Sequence, residues 1–239
     1  MENRISLIIP AYNEEKYIGD CLKAVFETHR NSFFEIIVID NASTDKTAEI
    51  ASSFGVKVFQ ENKKGVVRAR QKGYLEAKGN ILTFIDADTL MPEGWLNVIK
   101  NEFEKDKNVV CVSGPYIYYD QSVFLKFLTK LYWYILAIPI YKIVGYMVVA
   151  GNVAIKKETL EKTNGLDTSI EFYGDDTNMA RNASKYGKVK FTTKLNMFTS
   201  NRRLKEEGTL KTTFLYVKNF LSEVIFHKPS NTEEYKGVR

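Results

Sequence analysis

Asp86-Ala87-Asp88 sets two carboxylates one residue apart behind an apolar run, Ile81-Leu82-Thr83-Phe84-Ile85. In an extended chain alternate side chains point the same way. Both acids can then converge on one hard cation, and such a cation can hold a diphosphate. A second acidic pair, Asp175-Asp176, follows Gly174 at the start of a helical pattern. A carboxylate there can take a proton from an attacking hydroxyl, and acids also suit the positive end of a helix. Arg70 lies on another helical stretch, where a guanidinium can pair with Asp86 or with a phosphate.

These residues need a frame that brings them together. In the first half, short apolar runs at 5–10, 34–40, 56–60, 81–88 and 109–112 read as strands. Between them, helical spacing begins at Asn13, at Ser43 or Thr44, at Gly65 and at Pro92. Asn13 and Ser43 or Thr44 are placed as caps, and Pro92 as a helix start. The alternation predicts an α/β fold with a Rossmann-like, mostly parallel central sheet flanked by helices. Ligands of such sheets bind beyond the carboxyl ends of the strands. Pro10-Ala11-Tyr12-Asn13, Asp40-Asn41-Ala42-Ser43 and Asp86-Ala87-Asp88 all fall on that rim. The second half is less regular. It suggests strands at 148–155 and 188–192, a short helix opening at Asp175 and a helix over 209–227. One domain over 1–228 is expected, with a regular half to about 110 and a less regular half beyond it. Residues 229–239 read as a polar tail.

The composition bounds the function. A chain of 239 residues, 44% hydrophobic and 13% aromatic, can bury a large core, which excludes wholesale disorder. Its net charge of +5, from 34 basic and 29 acidic residues, suits an anionic substrate or a membrane surface and is too weak to point to nucleic acid. Cys21 and Cys111 sit in apolar segments without metal-ligand spacing, as buried thiols in a reducing compartment do. The first residues lack the long apolar region of a signal peptide. A cytoplasmic protein is expected, working at the inner face of the membrane if the aromatic middle makes contact there.

Ile8-Ile9-Pro10-Ala11-Tyr12-Asn13-Glu14-Glu15, then Val38-Ile39-Asp40-Asn41-Ala42-Ser43-Thr44-Asp45, then Phe84-Ile85-Asp86-Ala87-Asp88, resemble a family 2 glycosyltransferase of the GT-A fold. Gly65, Ala69, Arg70 and Gly73 match its helix between the second and fourth strands. Gly151-Asn152, Gly165 and Gly174-Asp175-Asp176 with Arg181 are similar to its acceptor-side signature. The resemblance covers roughly residues 4–203. It implies inverting transfer of a sugar from a nucleotide-diphosphate sugar, UDP- or GDP-linked, to a glycan or lipid-linked acceptor. It also implies residue roles. Pro10, Ala11 and Tyr12 would line the base pocket and Asp40 would accept a hydrogen bond from the base. Glu14 belongs either to that pocket or to the helix start. Asp86, with Ala87, would contact the ribose or sugar, and Asp88 would bind Mn2+ or Mg2+, with Asp86 the other candidate ligand. Asp176 would be the base, with Asp175 the alternative, since the family more often has Glu at that position. Arg202-Arg203 would lie on a loop that closes over the diphosphate, or form a plain basic surface pair. The chain lacks the Gln-x-x-Arg-Trp motif of processive members, which argues against polymer synthesis.

Residues 124–150 are strongly apolar and aromatic. Their length would span a bilayer, but Pro139, Lys142 and many tyrosines argue against a clean span. A buried or groove-lining helix within 121–147, or a segment dipping into the membrane interface through 124–147, is expected instead. Two rival classes use a similar frame. A nucleotidyltransferase would show a Gly-rich phosphate loop near its first strand, where this chain has Pro10-Ala11-Tyr12-Asn13-Glu14. A non-catalytic nucleotide-sugar-binding protein would be expected to lose the metal or base acids, all of which are present. A polyprenyl-phosphate glycosyltransferase is the alternative within the class.

Overall fold

The computed structural model describes residues 3–29, 32–170 and 173–227, so the expected tail at 229–239 lies outside the described residues. The apolar runs of the first half become β1 (Ile5–Ala11), β2 (Glu35–Asp40), β3 (Lys57–Gln60) and β4 (Ile81–Ile85). Every residue of β1, β2 and β4 is buried, as expected of strands covered on both faces. With β6 (Val109–Ser113), β8 (Asn152–Lys156) and β9 (Lys188–Phe191) they form a seven-stranded sheet in the order β3-β2-β1-β4-β8-β6-β9. All neighbours are parallel except β8, which runs antiparallel to both β4 and β6. The fold class is therefore the expected one.

Alternation along each strand splits the core into two layers. Leu7 and Ile9 of β1 face α1 (Ile18–His29) and α4 (Trp95–Lys105), packing with Leu22, Val25, Trp95 and Ile99. Ile8 points the other way, toward α3 (Val66–Glu76) and α8 (Asp175–Ser184), and joins Ala69, Phe84, Met179 and Ala180. The helices carrying Arg70 and Asp175 thus share one face of the sheet.

A second sheet of three short strands, β5 (Thr89–Leu90), β10 (Met197–Thr199) and β7 (Tyr116–Tyr118), is not evident in the sequence. Strands of two or three residues carry too little alternation to be read. Several boundaries also differ from expectation. The first helix begins at Ile18, because Asn13 adopts φ 50° and its side chain bonds to Thr44, accepting from the Thr44 amide at 2.7 Å. Ser43 Oγ accepts from the Asn13 amide at 2.9 Å. These residues therefore tie two rim loops together and cap no helix. The next helix, α2 (Thr47–Ser53), has its Thr47 amide taken by Asp45 at 3.0 Å instead. The fourth starts at Trp95, after Gly94 in the left-handed region, three residues beyond Pro92. The strand expected over 148–155 begins only at Asn152.

The aromatic middle forms α5 (Val123–Tyr132) and α6 (Ile138–Val144), joined by a π-helical turn at Trp133–Ala137. The whole stretch, Val123–Val144, is 22 residues long and apolar enough to cross a membrane by length and composition. It is not a buried helix, since Ala137 is its one buried residue. It leads from β7 back toward β8, and Trp133 stacks on Phe191 of β9 with centroids 5.5 Å apart. It therefore lies along the body. The remaining helices are α7 (Lys157–Lys162), α9 (Arg202–Glu207) and α10 (Thr209–Phe226).

The contact of α3 on β1 is close because residue 73 is glycine. A Cβ there would lie 2.3 Å from Ile8 Cγ2. Gly73→Ala is expected to destabilise the fold by roughly 1–3 kcal/mol through overpacking, measured by urea unfolding. A loss smaller than about 0.5 kcal/mol would mean that α3 lifts from the sheet at no cost.

Candidate active site

Asp86 leaves the end of β4, and the residues after it turn toward β5. Asp86-Ala87-Asp88 is therefore a turn and not the extended segment expected, and its two acids are held by different partners. Asp86 Oδ1 accepts from Arg70 Nη2 at 2.9 Å, and its Oδ2 accepts from the Tyr116 hydroxyl at 2.7 Å. The other arm of the same guanidinium, Arg70 Nη1, donates to Asp175 Oδ2 at 2.7 Å. Arg70 is 4% exposed, and its Nε is buried without a hydrogen-bond partner among the described residues. Burial alone would lower the Arg70 pKa, and the two facing carboxylates more than offset that and raise it. Gly151 completes this corner, since a Cβ on it would fall 1.9 Å from the Tyr116 hydroxyl and 2.2 Å from Asp86 Oδ2.

Asp88 faces a second cation. Its Oδ2 pairs with Arg202 Nε at 3.0 Å, and Thr199 Oγ1 approaches its Oδ1 at 3.4 Å. Arg202 also binds Glu14 and lies over the Tyr17 ring, 4.5 Å from its centroid. Burial raises the Asp88 pKa, against the lowering effect of Arg202. Lys64 bonds the Tyr12 hydroxyl and sits 4.6 Å from the Tyr12 ring centroid. Asn41 shapes the adjoining loop, donating to the Lys63 carbonyl at 2.8 Å and accepting from the Gly65 amide at 2.8 Å.

Asp175 and Asp176 open α8 after Gly174, whose φ of 98° suits glycine. Burial raises the Asp176 pKa and the Asp175 charge raises it further. Burial raises Asp175 too, against the pull of Arg70.

Pro10, Ala11, Tyr12, Glu14, Arg70, Asp86, Ala87, Asp88, Asp175, Asp176, Arg202 and Arg203 all line one groove of about 930 Å³. Asp40 lies behind that wall, 2% exposed, with Oδ1 buried and lacking a hydrogen-bond partner among the described residues. Glu14 belongs with the groove, and Arg202 is no plain surface cation. Residues that sequence reasoning missed are Tyr116, Thr199 and Lys64. The first two come from the short second sheet, which left no pattern. Lys64 was hidden among the neighbouring charges of a loop.

Among the described residues no cluster of three His, Cys, Asp or Glu side chains is placed to hold a metal by itself. Asp86 has both oxygens engaged by protein groups. Asp88, beside the groove and already neutralised by a guanidinium, fits a divalent ion of the kind held by one carboxylate plus substrate phosphates and water.

Paired acids on the strand-end rim of this mostly parallel sheet mark the GT-A class of transferase fold. The chain belongs to the glycosyl transferase family 2, whose model matches residues 6–164. The glycosyltransferase GlyG of Streptococcus pneumoniae serotype 4 is 35% identical over 130 residues, 51% of this chain and 42% of that protein. A dolichol-phosphate mannosyltransferase of Pyrococcus furiosus is 33% identical over 110 residues, 44% of this chain and 30% of that protein. The matched segment thus spans less than half the length of either relative. Among solved structures, a mannosyltransferase from Pyrobaculum calidifontis in complex with GDP-Man and Mn2+ superposes with a TM-score of 0.69 at 20% identity, covering 95% of this chain and 64% of that chain. Glucosyl-3-phosphoglycerate synthase from Mycobacterium tuberculosis, with Mn2+, UDP and phosphoglyceric acid, gives 0.65 at 20% identity, covering 93% and 79%. These structures share the fold.

A carboxyl whose folded pKa is raised binds its proton more tightly in the folded protein than in the unfolded chain. Its contribution to stability therefore falls as pH rises from the ordinary carboxylate range through the raised value. Asp176→Asn removes that penalty. The variant is expected to melt above the wild type at about pH 8, with the difference closing toward about pH 4. A difference that is flat with pH in thermal melts would show that Asp176 is not a strongly shifted group.

Proposed function

We propose that the protein is an inverting, metal-dependent, non-processive glycosyltransferase that moves a sugar from a UDP- or GDP-linked donor to a glycan or lipid-linked acceptor. The observation that carries this reading is the Arg70 bridge. One buried guanidinium holds an acid of the strand-end rim, Asp86, and an acid of the α8 start, Asp175, on a single groove. In the same reading residues 1–110 form the donor half and 111–228 the acceptor half of one domain.

In this reading each residue of the groove has a role. Asp40, whose Oδ1 has no partner among the described residues, accepts a hydrogen bond from the nucleobase once the wall in front of it gives way, while Pro10, Ala11 and Tyr12 line the base pocket. Asp86, fixed by Arg70 and Tyr116, contacts the ribose or the sugar. Asp176 removes the proton of the acceptor hydroxyl as that oxygen attacks the anomeric carbon. The bond to the diphosphate oxygen breaks from the opposite side, its electron pair leaves with the diphosphate, and the configuration inverts. Arg202 exchanges its carboxylate partners, Asp88 and Glu14, for the charge of the diphosphate, and Arg203 beside it adds a second positive charge. A divalent ion, Mn2+ or Mg2+, held by Asp88 would supply charge neutralisation on the departing diphosphate.

A polyprenyl-phosphate acceptor is the second reading, favoured by the apolar wall that α5 and α10 add to the groove. A phosphate needs little help from a base, so loss of Asp176 would then be mild. The same exposed helices support work at the inner, cytoplasmic face of a membrane.

Thermal melts with UDP, GDP and their sugars, with and without Mn2+, test the donor site. Stabilisation that requires metal is expected, and it should disappear in Asp88→Ala. Equal stabilisation in that variant would remove Asp88 as the ligand. For a hydroxyl acceptor, Asp176→Asn is expected to lower transfer by roughly 10²–10⁴-fold while keeping nucleotide-induced stabilisation. Retained transfer would exclude Asp176 as the base.

A further inference from the structure

The groove does not end at Asp176. It continues between two walls, with Leu125, Leu128, Leu136 and Ile140 on one side and Val217 and Leu221 on the other. None of the side chains that α5, α6 and α10 contribute to it is charged. A single cavity therefore carries Asp175 and Asp176, and beside them a mostly apolar lining in which the neutral polar groups of Thr129, Tyr132, Thr213, Tyr216 and Asn219 are interspersed. A sugar chain would leave hydroxyls unpaired where it met Leu125, Leu128, Leu136, Ile140, Val217 and Leu221, at a cost for each buried polar group. An amphiphile with a polar head and an apolar chain matches both parts.

The outer sides of the same helices narrow the occupant. Val123 and Ile143 are each 85% exposed, and Phe127, Ile135, Phe214 and Phe226 also face outward. Lys130, Lys142, Lys211 and Lys218 are exposed on these helices. Apolar outward side chains interleaved with lysines suit the boundary of an anionic membrane. A second copy of the chain would cover the outward faces and leave the inner lining of the groove wet. A bilayer accounts for both, because a lipid can pass from it between the helices.

We propose that the groove between α5–α6 and α10 takes the hydrocarbon chain of a membrane-borne acceptor, whose head group is thereby delivered to Asp176. The fate of that head group rests on the glycosyltransferase reading above. The binding of the chain does not.

Trp133 lines the groove and serves as a native reporter. Farnesyl phosphate, titrated below its micellar concentration, is expected to shift tryptophan emission saturably. Geranyl phosphate should bind more weakly and inorganic phosphate should give no shift. Trp133→Phe should remove the signal. Leu128→Asp and Val217→Asp, on opposite walls, are each expected to weaken farnesyl phosphate binding at least roughly tenfold, with stabilisation by nucleotide and Mn2+ unchanged. Phe127→Ser combined with Ile135→Ser should reduce co-sedimentation with vesicles of phosphatidylethanolamine and phosphatidylglycerol and spare farnesyl phosphate binding. The proposal is overturned if affinity does not depend on chain length in the wild type, or if both wall variants bind as the wild type does. If no nucleotide stabilises any form of the protein, the glycosyltransferase reading fails while the chain measurement still stands or falls by itself.

Discussion

A guanidinium buried to 4% exposure is stable only if charge meets it. Arg70 is met twice, by Asp86 at 2.9 Å and by Asp175 at 2.7 Å. The rest of the site depends on this arrangement. Arg70 is carried by a helix packed on the sheet, Asp86 by the end of a central strand, and Asp175 by a helix that begins ninety residues later in the chain. Fixing all three at one point fixes the entry of α8 relative to the sheet. Asp176, the next residue, is placed by the same constraint. Gly151 must lack a side chain for the corner to close, which links the entry to β8, the antiparallel strand of the large sheet, to the same point.

The second acid of the turn is balanced differently. Asp88 meets Arg202, which reaches Glu14 as well. Arg202 begins α9, after the second small sheet. This cation is brought by a peripheral element, while Arg70 is rooted in the core. Of these two guanidiniums, one is fixed by the core and the other depends on the position of a short helix. A diphosphate entering near Asp88 would compete with carboxylates for Arg202, whereas Arg70 already has both of its acids.

Much of this was legible from residue types and spacing. The buried strands of the first half declare themselves through apolar runs, and the rim acids follow from where those runs stop. Asp40, Asp86 and Asp88 stand out because they fall on the rim where ligands of such sheets bind, and Asp175 and Asp176 because they stand side by side at a helix start. The partners of those acids were harder to see. Tyr116 and Thr199 reach the site through strands of three residues, too short for any period. The turn at Asp86–Asp88 could not be told from a continued strand, because both begin with the same apolar run. Asn13 looked like a helix cap by type, yet a positive φ and the nearness of Thr44 gave its side chain another partner. Local preference proposes such pairings, and contacts between distant loops decide them.

One buried acid ties α10 to α8. Glu223 of α10 is fully buried, and its Oε1 accepts from Asn178 Nδ2 at 3.0 Å and from Arg181 Nη2 at 3.0 Å, both on α8. Shortening the chain before residue 223 would leave those donors facing a void, on the helix that opens with Asp175 and Asp176. A lineage that trimmed or exchanged this C-terminal segment would have to supply another acceptor there or recast α8. Position 223 therefore constrains the inheritance of α8, although it touches none of the acids at the opposite end.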